Sequence, residues 1–195
     1  NVEEIFVIDK SRTYMNRIAG YSSYEKTPPN YNQALTFMET LFETVAPDRI
    51  ISKDYLYMAR ILVKKNLNAP KMADEVLAIR AQIEKEKTRL AATSNATEKT
   101  KIKTGIDVLT SKADSQEKEV RKAAAEVDRA FVAYGKLLEL KPDDRALLGE
   151  IAGAYNSFRR YYGVAKTLSK MLGPLPEKRE DYMQVGRAFY NAERY

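Results

Sequence analysis

The segment LGEIAGAYNSFRRY, residues 148–161, decides the fold because a related segment follows it at a fixed distance. That second segment, YMQVGRAFYNAERY, occupies residues 182–195 and so begins 34 residues later. The positions that match at this spacing are Ala152 with Gly186, Ala154 with Ala188, Tyr155 with Phe189, Arg160 with Arg194, Tyr161 with Tyr195 and Pro142 with Pro176. A period of this size is typical of stacked repeats, in which one unit cannot bury its apolar face alone.

The composition of the 195-residue chain predicts an all-α protein. Hydrophobic residues make up 44% and charged residues 31%, whereas there are only 8 glycines and 7 prolines to interrupt helices. The net charge is +6, but acids interrupt the basic runs, as in residues 81–89, and such mixing is typical of solvated helix faces. We therefore do not expect nucleic-acid binding. Three lysines suggest only a weaker alternative, attraction to an anionic surface: Lys99, Lys101 and Lys103.

Several kinds of chemistry are excluded by residue types that the chain lacks. It has no cysteine and no histidine, which excludes disulfides, thiolate nucleophiles, Cys/His zinc sites and Ser-His-Asp triads. Paired carboxylates such as Glu180 and Asp181 lie near predicted helix ends, where caps explain them. We expect no catalytic residues, no metal, no cofactor and no membrane span. Because the chain starts at Asn1 without a methionine or a signal peptide, we expect it to be part of a longer protein.

The first half of the chain predicts the end of one helix and three further helices. Residues 1–9 resemble the end of an amphipathic helix, with Asp9 and Ser11 as candidate caps. A helix from Arg12 places an aromatic stripe on one face, and residues 27–30, Thr-Pro-Pro-Asn, stop it. Residues 31–46 predict the next helix, and Asp54 is predicted to cap the one that follows.

Three segments share a spacing of bulky, aliphatic, small and aromatic or aliphatic residues that resembles the first helix of tetratricopeptide repeats. They are Tyr55, Met58, Ala59 and Leu62; Leu148, Ile151, Ala152 and Tyr155; and Tyr182, Val185, Gly186 and Phe189. The second-helix pattern fits Ala130, Tyr134 and Pro142, and again Val164, Leu168 and Pro176. The resemblance covers residues 12–66 and 125–195, and the form Asp-Tyr-x-x-apolar-small-Arg is similar to repeat proteins of the bacterial cell envelope. The resemblance implies an α-solenoid, in which antiparallel helix pairs stack into a superhelix. It also favours a location in the periplasm or cell envelope over one in the cytoplasm.

The middle of the chain does not keep this period. The candidate second-helix starts Ala73 and Ala130 are 57 residues apart, which is not a whole number of repeats. We interpret residues 71–130 as a long, charged helical hairpin inserted into a single solenoid domain of residues 1–195, with a helix weakened at Gly105. A degenerate extra repeat with lengthened helices is the alternative.

The resemblance implies that the first helix of each pair lines a concave groove that receives a peptide or a partner helix. The residues predicted to face this groove are Arg17, Tyr21, Tyr24, Arg60, Lys64, Asn156, Arg187, Tyr190 and Asn191. Arginines among tyrosines suit a carboxylate or an acidic peptide, so we expect a protein or peptide partner of that character. The alternative is structural, with Arg60 and Arg187 paired to Asp54, Glu180 or a neighbouring repeat.

Two further interpretations follow from the same pattern. Gly149 and Gly153 lie inside a predicted helix, where glycine costs about 1 kcal/mol relative to alanine, so we expect close helix packing there in preference to an approaching ligand. The main alternative for function is an assembly module, in which residues 71–130 pair with a partner coiled coil or with a second copy.

Overall fold

The computed structural model describes the backbone of residues 2–173 and 178–193, and the side chains of these ranges from residue 12 onward. Every regular element in these ranges is helical. The elements are α1 (Val2–Glu25), α2 (Tyr31–Thr44), a 3₁₀ turn (Pro47–Arg49), α3 (Ser52–Lys65), α4 (Ala69–Ala92), α5 (Ala96–Leu140), α6 (Arg145–Ser157), α7 (Tyr161–Leu172) and α8 (Arg179–Glu193). The all-α prediction is confirmed, while Pro176, Arg194 and Tyr195, used in the repeat match, lie outside the described residues.

The chain divides into two compact units. The helix-pair unit comprises Asn1–Leu67 and Val127–Tyr195, and the hairpin unit comprises Asn68–Glu126. In the hairpin unit, α4 and the first part of α5 are held side by side by ion pairs, with Arg80 2.6 Å from Asp114 and Arg89 2.8 Å from Glu98. The interpretation of this region as an insertion into a repeat array stays a prediction.

The core of the helix-pair unit is built by apolar faces of α2, α3, α5 and α6. α1 packs on α2, α2 on α3, α6 on α7 and α7 on α8. The largest side chains that are fully buried include Met38, Leu41, Ile61, Leu62, Tyr134 and Leu148. Asn30 caps α2 because its side chain accepts a hydrogen bond from the backbone N–H of Gln33, which fixes the turn after the two prolines.

One predicted interruption is wrong. α1 runs without a break from Val2 to Glu25, so Asp9 and Ser11 are not caps but interior helical residues. The reason is that a single Ser or Asp inside a helix costs less than about 1 kcal/mol, which the surrounding helix tolerates. At Gly105, where a weakened helix is predicted, the 45-residue helix α5 has no break.

The register predicted for α8 is also wrong. Tyr182 and Phe189 belong to the predicted packing positions, yet they are 50% and 43% exposed. Instead, Ala188 is the buried residue of this helix, and it packs with Val164 and Ala165 of α7. The close contact between α7 and α8 therefore depends on small side chains and not on Tyr182 and Phe189.

Candidate functional site

A buried carboxylate joins α1 to α3. Asp54 is fully buried, and Arg17 reaches it from α1 with both Nε and Nη2 at 2.7 Å. The Tyr21 hydroxyl donates to Asp54 Oδ1 at 2.5 Å, and the backbone N–H of Ile51 donates to Oδ2 at 3.0 Å. Asp54 is predicted to cap α3, but the N-cap is Ile51, and Asp54 is the third residue of the helix, where its side chain accepts a hydrogen bond from the Ile51 backbone N–H. Four donors on one carboxylate fix the relative position of α1 and α3.

Aromatic rings surround this carboxylate. Tyr21 stacks on Tyr57 with centroids 4.0 Å apart, and Tyr24 meets Tyr57 edge-on at 5.5 Å. The Tyr57 hydroxyl donates to Glu25, and burial followed by this hydrogen bond raises the pKa of Tyr57 to about 12. Lys53 Nζ lies over the Tyr21 and Tyr57 rings, 4.9 and 5.5 Å from their centroids. The rings therefore hold an ammonium group at the start of α3 by cation–π attraction.

A second carboxylate joins α3, α5 and α6. Glu150 of α6 accepts from Arg60 Nε at 2.8 Å and Nη2 at 2.7 Å, and from the Tyr134 hydroxyl at 2.8 Å. Burial alone would raise the pKa of Glu150, but the hydrogen bonds from Arg60 and Tyr134 and the charges of Arg60 and Lys64 outweigh it, so the pKa is lowered. The hydrogen bond to Glu150 is the main reason that the pKa of Arg60 is raised. Together these shifts keep both partners ionised at neutral pH.

The lowered pKa of Glu150 makes its contribution to stability dependent on pH. This contribution is complete above the unfolded-state pKa, about 4.3, and is lost as pH falls through the lower folded-state pKa. We expect Glu150→Gln to destabilise the protein by about 1.5 kcal/mol at pH 7, the value of a hydrogen bond to a charged group. The difference from the wild type should shrink steadily below pH 4.5 in urea titrations. Glu139→Gln, at an exposed glutamate paired with Lys136, is the matched control, and a difference that does not depend on pH would contradict the assignment.

A cleft of about 430 Å³ lies beside Glu150, between α3 and α6. We call it the α3–α6 cleft, and its lining residues are Ser52, Lys53, Leu56, Tyr57, Arg60, Leu137, Lys141, Asp144, Ala146, Leu147 and Glu150. Both acids in the lining already accept hydrogen bonds. Glu150 accepts from Arg60 and Tyr134, and Asp144, the N-cap of α6, accepts from the backbone N–H of Leu147. The ammonium groups of Lys53 and Lys141 form no ion pair with a carboxylate of the described residues, so the cleft presents net positive charge.

The structure brings part of the predicted groove set together. Arg17, Tyr21 and Tyr24 lie on α1 against α3, and Arg60 lies at the α3–α6 cleft. Arg17 and Arg60 are each committed to a bidentate ion pair, which is the structural role weighed as the alternative for Arg60, although its partner is Glu150. Whether these residues also contact a partner stays a prediction.

The remaining predicted residues lie further along the chain. Lys64 is exposed at the end of α3, near enough to Glu150 to influence its pKa. Asn156 is exposed on α6. On α8, whose packing partner is α7, Arg187 and Tyr190 are exposed and Asn191 is half-buried.

The expectation of close packing at the two α6 glycines is wrong. A Cβ atom on Gly153 would meet nothing within 4 Å, and one on Gly149 would meet only Met171 Sδ, at an ordinary 3.8 Å. Neither position therefore requires glycine for helix packing. Gly153 is one turn from Glu150 on α6, and it is exposed to solvent.

Sequence reasoning missed several residues of the cleft. Glu150 is 90 residues from Arg60, and no local spacing relates the two. Lys141 follows the last residue of α5, where a lysine usually complements the helix dipole. A usable signal existed for Lys53, because it is four residues before Tyr57 and therefore on the same helical face.

Comparison of the chain with models of known families, with characterised proteins and with solved structures gives no match. The resemblance to tetratricopeptide repeats therefore depends on the residue patterns of this chain alone. Within residues 2–173 and 178–193, no helix has both the length and the apolar character to cross a bilayer, and no group of three acidic side chains is placed to hold a metal ion.

Proposed function

We propose that this chain is a non-catalytic scaffold, built as a tetratricopeptide-like α-solenoid, that binds an acidic peptide or protein segment along α1, α3 and α6. The single observation that carries this proposal is the α3–α6 cleft, where both acids accept hydrogen bonds within the protein and, among the described residues, Lys53 and Lys141 have no carboxylate partner. Carboxylates of a partner can pair with Lys53 and Lys141 without breaking an ion pair between described residues.

The solenoid part of the proposal is supported by how the repeat positions are buried. In α3 and α6 the matched aliphatic and small residues are all buried: Met58, Ala59 and Leu62, and Leu148, Ile151 and Ala152. The aromatic residues that flank them, Tyr55 and Tyr155, pack at the edge of the same core. Burial at equivalent positions in two helices is what a stacked repeat requires, because each unit must cover the apolar face of its neighbour.

The proposal that this surface binds a partner is supported by the contacts that hold its side chains in place. The ion pairs of Asp54 with Arg17 and of Glu150 with Arg60 hold α1, α3 and α6 in place, and the rings of Tyr21 and Tyr57 hold Lys53. Groups held in one geometry lose little entropy when a ligand binds, which favours affinity. In this proposal the arginines hold the helices in place through their ion pairs, and Lys53 and Lys141 supply the positive charge that binds the partner.

The test is binding of a labelled Glu/Asp-rich peptide, followed by fluorescence anisotropy. We expect the double substitution Lys53→Ala and Lys141→Ala to weaken binding about tenfold, because two partly screened ion pairs together contribute about 1.4 kcal/mol. Affinity should also fall as salt rises. A peptide of the same length with Gln and Asn in place of the acids should bind far more weakly.

The control variant removes the same charge elsewhere. Lys112 and Lys122 are exposed lysines of the hairpin unit and do not line the cleft. Lys112→Ala with Lys122→Ala should leave affinity near that of the wild type. An equal loss in both double variants would mean that the peptide responds only to net charge, and the proposed cleft would then be wrong.

A second candidate function, assembly through the hairpin unit, is favoured by exposed apolar side chains. Leu77 on α4 and Val108 on α5 are 68% and 63% exposed, whereas the hairpin's own interior is formed by residues such as Val76 and Ile102. Helical hairpins that carry apolar side chains on a second face can associate with further helices.

Sedimentation velocity over a range of concentrations distinguishes this candidate. If the hairpin unit mediates self-association, the wild type should form dimers or larger species, and Leu77→Glu with Val108→Glu should return it to a monomer. Lys53→Ala with Lys141→Ala should not change the oligomeric state. A wild-type chain that stays monomeric at every concentration would remove self-association through this surface.

A further inference from the structure

The turn between α6 and α7 forms a second cleft, of about 480 Å³, within the helix-pair unit. We call it the α6–α7 cleft, and its lining residues are Tyr155, Arg159, Arg160, Tyr161, Tyr162, Gly163, Lys166 and Ala192. Three of these residues are cationic and none is acidic, and none of them lines the α3–α6 cleft. The α6–α7 cleft is therefore a site separate from the cleft proposed to bind the peptide.

The floor of this cleft is rigid. The Tyr155 ring stacks on Phe131 with centroids 3.9 Å apart and planes 3° from parallel. Gly163 permits this arrangement, because a Cβ atom there would lie only 2.5 Å from the Tyr155 ring. Arg160 lies 5.1 Å above the Phe131 ring, and its Nη1 is 2.6 Å from Asp128 Oδ1, a residue outside the lining. One wall of the cleft is thus fixed before any ligand arrives.

Arg159 has a backbone conformation that arginine rarely adopts. Its φ is 56°, in the left-handed region, and it follows the C-cap of α6. Its N–H donates to Asn156 O at 3.0 Å, and the Arg160 N–H donates to Tyr155 O at 2.9 Å. This is the hydrogen-bond pattern of a Schellman motif, a position where glycine is the usual residue. A side chain is unfavourable at such a position, yet here an arginine places its guanidinium in the lining of the cleft.

The rim of the cleft adds further donors. Tyr162 and Lys166 are one turn apart on α7, so they share a face, and both are exposed. The side chains that can meet a ligand here are thus guanidinium, ammonium and phenol groups, all of which donate hydrogen bonds.

We propose that the α6–α7 cleft binds a phosphate monoester. Such a group carries nearly two negative charges and three strong acceptor oxygens at neutral pH. The described lining residues include three cations and no acid, and one of the cations, Arg160, also pairs with Asp128 outside the lining. Guanidinium forks bind phosphate oxygens in pairs, and the lysine adds a compact charge. A single carboxylate carries less charge and fewer oxygens, so it fits this set of donors less completely.

The test measures binding of inorganic phosphate and of O-phosphoserine by isothermal titration calorimetry, at constant ionic strength set with chloride. The informative variant is Arg159→Gly with Lys166→Ala, since glycine suits the left-handed backbone and the fold should be retained. We expect this variant to lose at least about tenfold in affinity for both ligands. The midpoint of its thermal unfolding should not fall, so that a loss of binding can be attributed to the cleft and not to unfolding of the protein.

The control is Lys170→Ala with Lys112→Ala, which removes two exposed cations outside the cleft and should bind like the wild type. Vesicles containing phosphatidic acid distinguish a lipid headgroup from a soluble ligand. Binding of O-phosphoserine but not of vesicles assigns a soluble phosphate monoester, and vesicle binding that needs Arg159 and Lys166 assigns the headgroup. The proposal is overturned if the wild type does not bind phosphate, if the control loses as much affinity as the cleft variant, or if vesicle binding survives the cleft substitutions.

Discussion

Replacing Asp54 with alanine is expected to destabilise the helix-pair unit by about 3 kcal/mol, the low end of the cost of leaving one partner of a buried ion pair alone. Asp54 is fully buried and accepts four hydrogen bonds, two of them from Arg17. After the substitution the Arg17 guanidinium and the Tyr21 hydroxyl lose their acceptor. The Arg17 side chain is 18% exposed, so water can partly solvate the cation, which is why we expect the lower value.

A double-mutant cycle with Arg17→Met, followed by circular dichroism in urea, measures this interaction. Each single substitution leaves a charge without its partner, whereas the double variant leaves none, so its loss should be clearly smaller than the sum of the two. Asp48→Ala, at an exposed aspartate of the neighbouring 3₁₀ turn, is the control and should unfold like the wild type. Additive losses, or a stability of Asp54→Ala close to that of the wild type, would show that the carboxylate does not tie α1 to α3.

The position of most helices could be predicted from the sequence because strong local signals mark their ends. The Thr-Pro-Pro-Asn run ends α1 and starts α2, and the predicted helix over residues 31–46 differs from α2 by two residues. Where the signals are weak, prediction fails. Asp9 and Ser11 disfavour a helix only slightly, and helix cooperativity overrides them.

The candidate sites could be predicted only in part, because their decisive contacts join distant parts of the chain. The residue pattern of residues 55–62 predicts that Arg60 lies on a helix, but it gives no indication that Glu150 will bind it. The α8 register shows the same limit, since Ala188 and Phe189 are adjacent in sequence and both suit burial. Which of them is buried depends on how closely α7 approaches, and α7 provides small residues there, Val164 and Ala165.

The glycines of α6 and α7 offer the second large expected effect, because the same substitution should act with opposite sign in the two helices. A Cβ atom on Gly163 would lie 2.5 to 2.7 Å from three atoms of the Tyr155 ring. That ring is stacked on Phe131 at 3.9 Å and cannot move away freely. Gly163→Ala should therefore destabilise the protein by about 2 kcal/mol, as overpacking of a well-packed interface does.

Gly153→Ala is the matched control, since a Cβ atom there meets nothing within 4 Å and the backbone is already helical. This substitution should stabilise the protein by about 0.5–1 kcal/mol, because alanine loses less backbone entropy on forming a helix. Urea unfolding of both variants measures the two shifts.

If both substitutions raised stability, the Tyr155 ring would have to move aside at little cost, and the rigid floor inferred for the α6–α7 cleft would be wrong. If both lowered it, Gly153 would be in a contact that the structure does not contain. Only opposite shifts fit an α6–α7 contact that is tight at Gly163 and open at Gly153.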